Sequence, residues 1–555
     1  MIKCGQEKPG RYASIIASGS EKPPQVQTFG PKDEMDEDTL FDAQSYRTIE
    51  LDALYGLLDT CRIELGRAAL QRAIAHPPIN SADVRARQEA LEELGNNPEL
   101  KSEAEALLTK SDPHEPGFFE LGWSRFTGLM SGDDHNELSR GGYGYRQFKQ
   151  TRVLFAALEG FGQNAGNINS GYLKGLLDDF AAMKSSRSCE LLRGPAYVTE
   201  TNPITRSEKA WYRFAYKFRP TLFKPLLLLF MVLIPYALNK MSSTFYTGSY
   251  YESGNNVLPI LGLLMVFAII PIVIAYIVMI GSHERDHFIK PVGGALREDP
   301  VVRRAMDALG ELDVLLAHLR FNEAYPSATC LPEIVDSKHH IFEAQGLKSP
   351  IIGMDEADYV ANDVSFDAAR LSFITGPNSG GKTALSKSIC QNQVLAQMGG
   401  YATASSARIS PADVIAYQVP QPGELERREG RFATELARTR DIFFASTKHA
   451  LIVLDEPFEG TSFEERLETS EQVLDGFIRL EATVLFITHN HALAELYRNK
   501  DQSGHTQFLE ASFENDHPTH TFKQGIASTS HAARIANQIG FGQEDIERRF
   551  EDEKS

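Results

Sequence analysis

One segment restricts the possible folds of this chain more than any other: an apolar run, a glycine-rich loop and a helical pattern follow each other between residues 371 and 389. The run Leu371 to Thr375 predicts a buried strand, and Ala384, Leu385 and Ile389 have the spacing of a helix face. The loop between them fits GxxxxGK[ST] with Gly376, Pro377, Asn378, Ser379, Gly380, Gly381, Lys382 and Thr383. In this strand-loop-helix context, the pattern predicts an α/β domain that binds a nucleotide through its phosphates.

The residue types of this loop suit phosphate chemistry. Glycines allow backbone N–H groups to converge on phosphate oxygens, and the start of the helix adds partial positive charge. Lys382 is predicted to reach the β- and γ-phosphates, and Thr383 to offer its hydroxyl to Mg²⁺. The sequence therefore predicts ATP and Mg²⁺ as cofactors, and the motifs downstream argue against a chance glycine-rich turn.

Two further apolar runs end in residues that suit nucleotide hydrolysis. Leu451 to Leu454 leads into Asp455 and Glu456, and Thr483 to Thr488 leads into His489. Ligands of α/β sheets bind at the carboxyl ends of the strands. Asp455 is predicted to hold Mg²⁺, Glu456 to polarise the attacking water, and His489 to contact the γ-phosphate or that water. The alternatives are a strand end that meets a solvated loop and an ordinary surface histidine.

The rest of the chain predicts a multidomain α plus α/β protein. Helical spacing is sustained from about Ile49 to Leu108, whereas no function can be assigned to residues 115–200. We predict five parts: a disordered acidic tail at 1–45, a helical region at 46–205, a transmembrane hairpin at 206–285, returning helices at 286–340, and a P-loop α/β ATPase domain at 341–555.

The hairpin prediction rests on two apolar stretches, 223–238 and 257–281, of which the second carries no charged residue. A bilayer core requires ~20 apolar helical residues, so the first stretch is marginal. Basic residues crowd the approach to the first stretch, whereas the loop between the stretches holds only Lys240 against Glu252. This asymmetry predicts an inner-membrane protein that contacts lipid, with both termini and the ATPase domain in the cytoplasm. The alternative is a buried helical hairpin within a folded core.

Charge and cysteine content limit the other partners. A formal net charge of −18 does not imply DNA binding, although a local basic face remains compatible with it. The five cysteines are widely spaced and form no CxxC pair, so no metal other than Mg²⁺ is predicted.

The nucleotide loop resembles that of the MutS family, GPNxGGK[ST], and the segment from Asp455 to Ser462 is similar to that family's DE-x-x-x-GTS. The LSGGQ signature of ABC-type ATPases does not occur before Asp455. The resemblance covers roughly residues 49–110 and 285–545. It implies that the helical region at 46–205 is a core and lever region and that the returning helices at 286–340 are lever helices. It implies that Tyr359 stacks on adenine, unless it is an ordinary strand-edge aromatic, and that Gly525 to Gly540 forms the dimerisation helices of a homodimer.

Three departures from the family pattern change what is expected. About 48 residues precede the helical core, so we expect the mismatch-reading domain with its Phe-x-Glu wedge to be missing. The apolar hairpin falls where lever and DNA-clamping helices would continue. Arg431 stands before Phe432 to Glu435 where the family has Ser-Thr, so it is a candidate to reach the partner's nucleotide across a dimer. The alternative is a solvated loop arginine beside Arg427 and Arg428.

Three functions are compatible with these patterns. The leading prediction is a membrane-anchored, ATP-hydrolysing homodimer whose closure around nucleotide moves helical levers. The second is a DNA mismatch repair or DNA-structure-binding ATPase of the MutS family. The third is a nucleotide-gated scaffold that does not hydrolyse ATP.

Overall fold

A helical region and a sheet-containing region make up the part of the chain that the computed structural model describes. The described residues are 15–17, 20–25, 40–128, 138–163, 168–222, 236–237, 240, 271, 274–356, 358–367, 369–420, 428–458, 460–489, 491–500, 504–514, 517–527, 539–542 and 546–548.

Helices dominate the described part of residues 1–324. Those before the sheet region are α1 (Ala43–Thr48), α2 (Leu51–Leu58), α3 (Glu64–Ala75), α4 (Ser81–Asn96), α5 (Pro98–Ser111), α6 (Glu115–Trp123), α7 (Tyr145–Phe161), α8 (Gly171–Ala182), α9 (Arg187–Arg193), α10 (Lys290–Glu298) and α11 (Pro300–Ala324). The sheet region adds α12 (Ile352–Asp355), α13 (Lys382–Gln397), α14 (Arg428–Ala445), α15 (Phe463–Leu480) and α16 (His491–Lys500).

Local sequence explains where the main helices begin. The Asn80 side chain accepts a hydrogen bond from Ala82 N at the start of α4, and Asp299 caps α11, whose first residue is Pro300. An oxygen acceptor before the first turn and a proline at its first position both favour a helix start. Helix α11 is buried on nearly all sides from Ala308 to Leu319, so it forms the centre of the helical region.

Fourteen strands are present among the described residues. Short pairs occur in the helical region at β1 (Arg125–Phe126), β2 (Ser139–Arg140), β3 (Tyr197–Val198) and β4 (Tyr216–Lys217). The remaining strands are β5 (Glu333–Ile334), β6 (Phe342–Leu347), β7 (Asn362–Ser365), β8 (Leu371–Thr375), β9 (Ser406–Ile409), β10 (Ile415–Gln418), β11 (Leu451–Asp455), β12 (Thr483–Thr488), β13 (Thr506–Glu514) and β14 (His517–Gln524).

The larger sheet has the strand order β10-β11-β12-β8-β13-β14 and is parallel except for β14. Strands β8, β11 and β12 are buried along their whole length, as expected for a parallel sheet covered on both faces. Asp455 lies opposite Ile487, and Thr488 lies opposite Thr375. The register therefore brings the carboxyl ends of β11, β12 and β8 side by side.

The helical region and the sheet region share one hydrophobic core, which extends from Ile15 to Ile487 in sequence. A second core covers the opposite face of the large sheet. Polar contacts join the regions as well: Ile415 N donates to the carbonyl oxygen of Leu40 (2.8 Å), and Gln391 Nε2 donates to that of Ile49 (2.8 Å). The sheet is therefore fixed against the first helices.

The predicted transmembrane hairpin is wrong as far as the described residues can test it. None of the described helices combines the length and apolar character needed to cross a bilayer. Most of 223–281 lies outside the described residues. At its end, residues 274–284 form a helix that runs into the π-helical turn Arg285–Ile289, and Gly281 packs against the Tyr143 ring. This helix continues past Gly281 to the fully buried Glu284, which a count of apolar residues does not predict. The predicted membrane location, with its orientation and lipid contact, is wrong.

Candidate nucleotide site

The glycine-rich loop begins directly after β8 and ends at the first residue of α13. Gly376 has a φ of 125° and Gly381 a φ of 86°, a region of backbone space in which residues with a Cβ are strained. A Cβ on Gly380 would lie 2.6 Å from that of Ala511 on the neighbouring strand. The loop therefore needs glycine both for its turns and for its close approach to β13.

Lys382 is the first residue of α13 and is almost fully buried. Its Nζ donates to the carbonyl oxygen of Gly376 (2.5 Å), so the side chain folds back over the loop. Burial lowers the pKa of Lys382, and the nearby Glu456 and Asp455 carboxylates partly offset that effect. A buried ammonium group beside a glycine loop is suited to bind phosphate oxygens.

Asp455 lies at the carboxyl end of β11 and meets two hydroxyl groups. Thr383 Oγ1 donates to Asp455 Oδ2 (2.9 Å), and Tyr417 Oη donates to the same oxygen (3.3 Å). Burial raises the pKa of Asp455, the neighbouring Glu456 adds to the rise, and the Thr383 hydrogen bond opposes it. The carboxylate thus lies in surroundings that would favour a cation.

Glu456 and His489 approach each other at the next strand end. His489 Nδ1 lies 3.3 Å from Glu456 Oε1, with the glutamate largely buried and the histidine half exposed. A cavity of about 10 Å³ lies between β12, α15 and α16 and is lined by Glu456, Pro457, Arg466, Ser470, Phe486, Thr488, His489 and Leu493. That volume is close to the minimum that one water molecule requires.

The backbone after Asp455 is strained. Glu456 and Phe458 have φ values of 50° and 65°, which are uncommon for residues other than glycine. Phe458 N donates to Glu435 Oε2 (2.8 Å), and Glu435 is itself buried on α14. Strained backbone persists where the surroundings hold it, and it is frequent at functional sites.

Tyr359 lies against helix α13, and Arg431 lies on α14. Tyr359 is partly buried and interacts through its hydroxyl with Ser388 of α13, while burial raises its pKa. Arg431 lies within helix α14, but its side chain is outside the described part, as is that of Asn378. Most of the predicted dimerisation segment, 528–538, also lies outside the described residues.

Sequence reasoning missed two residues at the metal end of this site. Tyr417 is the next-to-last residue of the short strand β10, and Ser386 follows Thr383 by three residues on the same helix face. The available signal was an apolar run that ends in Tyr417-Gln418-Val419-Pro420 between the loop and Asp455. Its register beside β11 depends on tertiary structure, so the run alone does not reveal the contact with Asp455.

The donor set fits Mg²⁺ and a nucleotide. Mg²⁺ prefers oxygen ligands from one or two carboxylates together with phosphates and water. Thr383 and Asp455 provide such oxygens beside a glycine-rich loop and one buried lysine. The chemistry available here is therefore phosphoryl transfer, supported by charge stabilisation and by positioning of water.

Comparisons with known proteins agree with this geometry. A family model described as MutS domain V matches residues 372–553. The chain is similar to DNA mismatch repair protein MSH6 of Arabidopsis thaliana, with 32% identity over 207 residues that make up 35% of this chain and 16% of that protein. It is 27% identical to DNA mismatch repair protein MSH3 of Candida glabrata over 278 residues, or 48% of this chain and 26% of that protein.

The chain is also similar to a bacterial protein. DNA mismatch repair protein MutS of Prochlorococcus marinus is 29% identical over 260 residues, which cover 45% of this chain and 28% of that protein. The chain thus matches between 16% and 28% of the length of these three relatives. The names of these relatives describe DNA repair proteins and give the predicted membrane location no support.

Proposed function

We propose that this chain, which belongs to the MutS family, is an Mg²⁺-dependent ATPase that binds DNA and couples this binding to ATP hydrolysis. The observation that carries the ATPase part is the hydrogen bond from Thr383 to Asp455 (2.9 Å), which joins the loop helix to the end of β11. It brings the hydroxyl and carboxylate oxygens that suit Mg²⁺ next to the phosphate loop.

Each residue of the site then has a role in hydrolysis. The loop from Gly376 to Gly381 binds phosphates through its N–H groups, and Lys382 neutralises charge on the β- and γ-phosphates. Thr383 and Asp455 hold Mg²⁺, which when bound supplies positive charge to the transferring phosphoryl group. Glu456 takes the proton of the attacking water, and His489, whose Nδ1 lies 3.3 Å from Glu456 Oε1, contacts the γ-phosphate or that water. Tyr359 is proposed to pack on the adenine.

Hydrolysis is tested by replacing the general base without changing its shape. Glu456→Gln removes proton acceptance, so turnover should fall by about 100-fold or more while ATP still binds. Lys382→Ala should weaken nucleotide binding itself. The matched control is Glu464→Gln, an exposed carboxylate in the first turn of α15, which should leave turnover unchanged. A wild-type protein that binds ATP but shows no turnover would instead support the nucleotide-gated scaffold.

The action on DNA rests on the relatives, whose names describe DNA mismatch repair. A net charge of −18 requires the basic side chains that contact DNA to be concentrated locally. Binding should therefore depend steeply on salt, because each neutralised phosphate releases counterions. Affinities for mismatched, branched and fully paired duplexes, measured at several salt concentrations with and without ATP, decide this part. Equal, salt-independent signals for all three DNAs would contradict it.

A homodimer is proposed as the working assembly, with Arg431 reaching the partner's nucleotide. A guanidinium group suits this role because it offers several donors to the γ-phosphate oxygens. Arg431→Ala should lower turnover and ATP-dependent dimerisation together. Arg440→Ala is the control, since Arg440 lies on the same helix and pairs with its exposed neighbour Asp441. Loss of neither property in Arg431→Ala would remove the residue from the mechanism.

A further inference from the structure

Tyr417 is fully buried at the end of β10, the edge strand beside β11. Its hydroxyl lies 2.7 Å from Ser386 Oγ and 3.3 Å from Asp455 Oδ2. Asp455 Oδ2 therefore receives one hydroxyl from α13, through Thr383, and a second from a different strand. Two donors that approach one oxygen from separate elements restrict the rotation of the carboxylate.

The backbone of Tyr417 is fixed on both sides. Its N–H donates to Ser45 Oγ (3.0 Å), and its carbonyl oxygen accepts from Arg438 Nη2 (3.0 Å). Arg438 also pairs with Asp42 (3.0 Å), the residue that caps α1. Helices α1 and α14 thus determine where the Tyr417 hydroxyl lies.

The direction of the tyrosine proton follows from the neighbouring groups. Ser386 Oγ has two carbonyl acceptors on its own helix, those of Lys382 (3.2 Å) and Thr383 (3.0 Å). Its single proton can satisfy one of these acceptors without Tyr417. Asp455 is the charged acceptor at the tyrosine hydroxyl, and hydrogen bonds to charged acceptors are the stronger ones.

We propose that Tyr417 is a positioning residue for the metal: its hydroxyl holds the Asp455 carboxylate in the orientation that binds Mg²⁺. This inference rests on the proposed ATPase function and extends it to a residue outside the loop and the two acidic positions. Because Ser45, Asp42 and Arg438 hold Tyr417, it also makes helix α1 part of the support of the metal site.

The test uses the Tyr417→Phe variant of the full chain, which removes the hydroxyl and keeps the ring. The matched control is Tyr497→Phe, a buried tyrosine whose hydroxyl donates to Asp475 (2.6 Å) on the opposite face of the sheet. Binding of a fluorescent ADP analogue is measured in EDTA and through a titration with MgCl₂, so that the readout does not depend on turnover.

In Tyr417→Phe, the affinity for the ADP analogue in EDTA should equal that of the wild type, and the apparent affinity for Mg²⁺ should fall about ten-fold. Tyr497→Phe should match the wild type in both. In an Asp455→Asn background, which is itself expected to lose the Mg²⁺ response, the further change Tyr417→Phe should leave the affinity for the ADP analogue in EDTA unchanged. That last comparison separates positioning from general destabilisation.

Two results would overturn the inference. One is a Tyr417→Phe protein with the wild-type Mg²⁺ response; the other is a loss of nucleotide binding in EDTA as large as the loss in Mg²⁺, which would indicate a purely structural tyrosine. Should Tyr417→Phe fail to fold, Ser45→Ala replaces it in the test. This variant removes the acceptor of the Tyr417 N–H group, and it should likewise weaken the Mg²⁺ response without changing nucleotide binding in EDTA. A wild-type protein whose nucleotide binding ignores Mg²⁺ would refute the proposed function itself.

Discussion

Two buried polar clusters in this molecule have opposite electrostatic balances. In the helical region, Glu311 of α11 pairs with Arg72 (2.5 Å) and Arg87 (3.0 Å) and accepts from Tyr172 (2.9 Å). At the nucleotide site, Asp455 and Glu456 lie near one buried cation, Lys382. The first cluster has more positive than negative charge, whereas the second has an excess of carboxylate.

The pKa values of the two acids show what this difference means. Burial alone would raise the pKa of Glu311, but Arg87, Arg72 and the Tyr172 hydrogen bond outweigh it, and the pKa lies below its usual value. Burial raises the pKa of Asp455, and the hydrogen bond from Thr383 only partly opposes the rise. We call the Glu311 cluster complete, because its carboxylate is paired with two arginines and is therefore costly to remove. We call the cluster of Asp455 and Glu456 incomplete, because its excess of carboxylate can accept an added cation.

The largest effect is expected when the complete cluster loses its carboxylate. Glu311→Gln removes the carboxylate that pairs with two buried arginines, which should cost about 3–5 kcal/mol of unfolding free energy. Denaturant titration measures this cost. The control is Glu105→Gln, which pairs with the partly exposed Arg320 (2.8 Å) and should cost at most about 1 kcal/mol. Equal losses of unfolding free energy in the two variants would show that the Glu311 cluster contributes no more to stability than a partly exposed ion pair.

Low pH should destabilise the same cluster, because protonation of His318 adds a positive charge beside Arg87. His318 is buried beside Arg87, and burial, reinforced by Arg87, lowers its pKa to about 4. A histidine whose pKa is depressed on folding binds its proton more readily in the unfolded state, so stability falls as pH drops from about 6.5 towards 4. Complete titration of His318 corresponds to roughly 3 kcal/mol.

His318→Leu checks this prediction by comparing denaturant midpoints over that pH range. The variant should lose the part of the pH dependence that one proton contributes. The remaining dependence includes His340, whose pKa burial also lowers to about 4. A pH profile identical to that of the wild type would exclude His318 as an acid-sensitive group.

The smallest effect on stability is expected at the incomplete cluster. Asp455→Asn removes a buried charge that burial disfavours and keeps an oxygen acceptor for Thr383. Without nucleotide, its unfolding free energy should therefore stay within about 1 kcal/mol of the wild type or rise slightly. The same variant should lose Mg²⁺-dependent nucleotide binding. A loss of stability comparable to that of Glu311→Gln would erase the distinction between the two clusters.

The sequence predicts the parts of this molecule that short segments encode. The apolar runs that end at Thr375, Leu454 and Thr488 form strands of the large sheet, and the resemblance to the MutS family is confirmed. Each motif carries its own signal: fully apolar runs for buried strands, glycine and lysine for the loop. The roles of Lys382 and Glu456 remain predictions.

Contacts between distant segments could not be predicted in the same way. The Glu311 cluster joins residues from four helices, and no local pattern distinguishes Arg72 or Arg87 from a surface arginine. Tyr417 meets Asp455 only because β10 and β11 pair. The transmembrane prediction failed for a related reason, since it counted the apolar run by itself, whereas the helix at the end of that run continues to the buried Glu284.

The hydrogen bond between Tyr417 N and Ser45 Oγ links residues 372 positions apart. At typical rates of synthesis, a ribosome needs roughly 20 to 75 s to pass from one to the other. During that interval, helix α1 and its buried neighbours lack the strand on which they rest. Until β10 has been synthesised, part of the apolar surface of the nascent helical region therefore remains exposed to solvent.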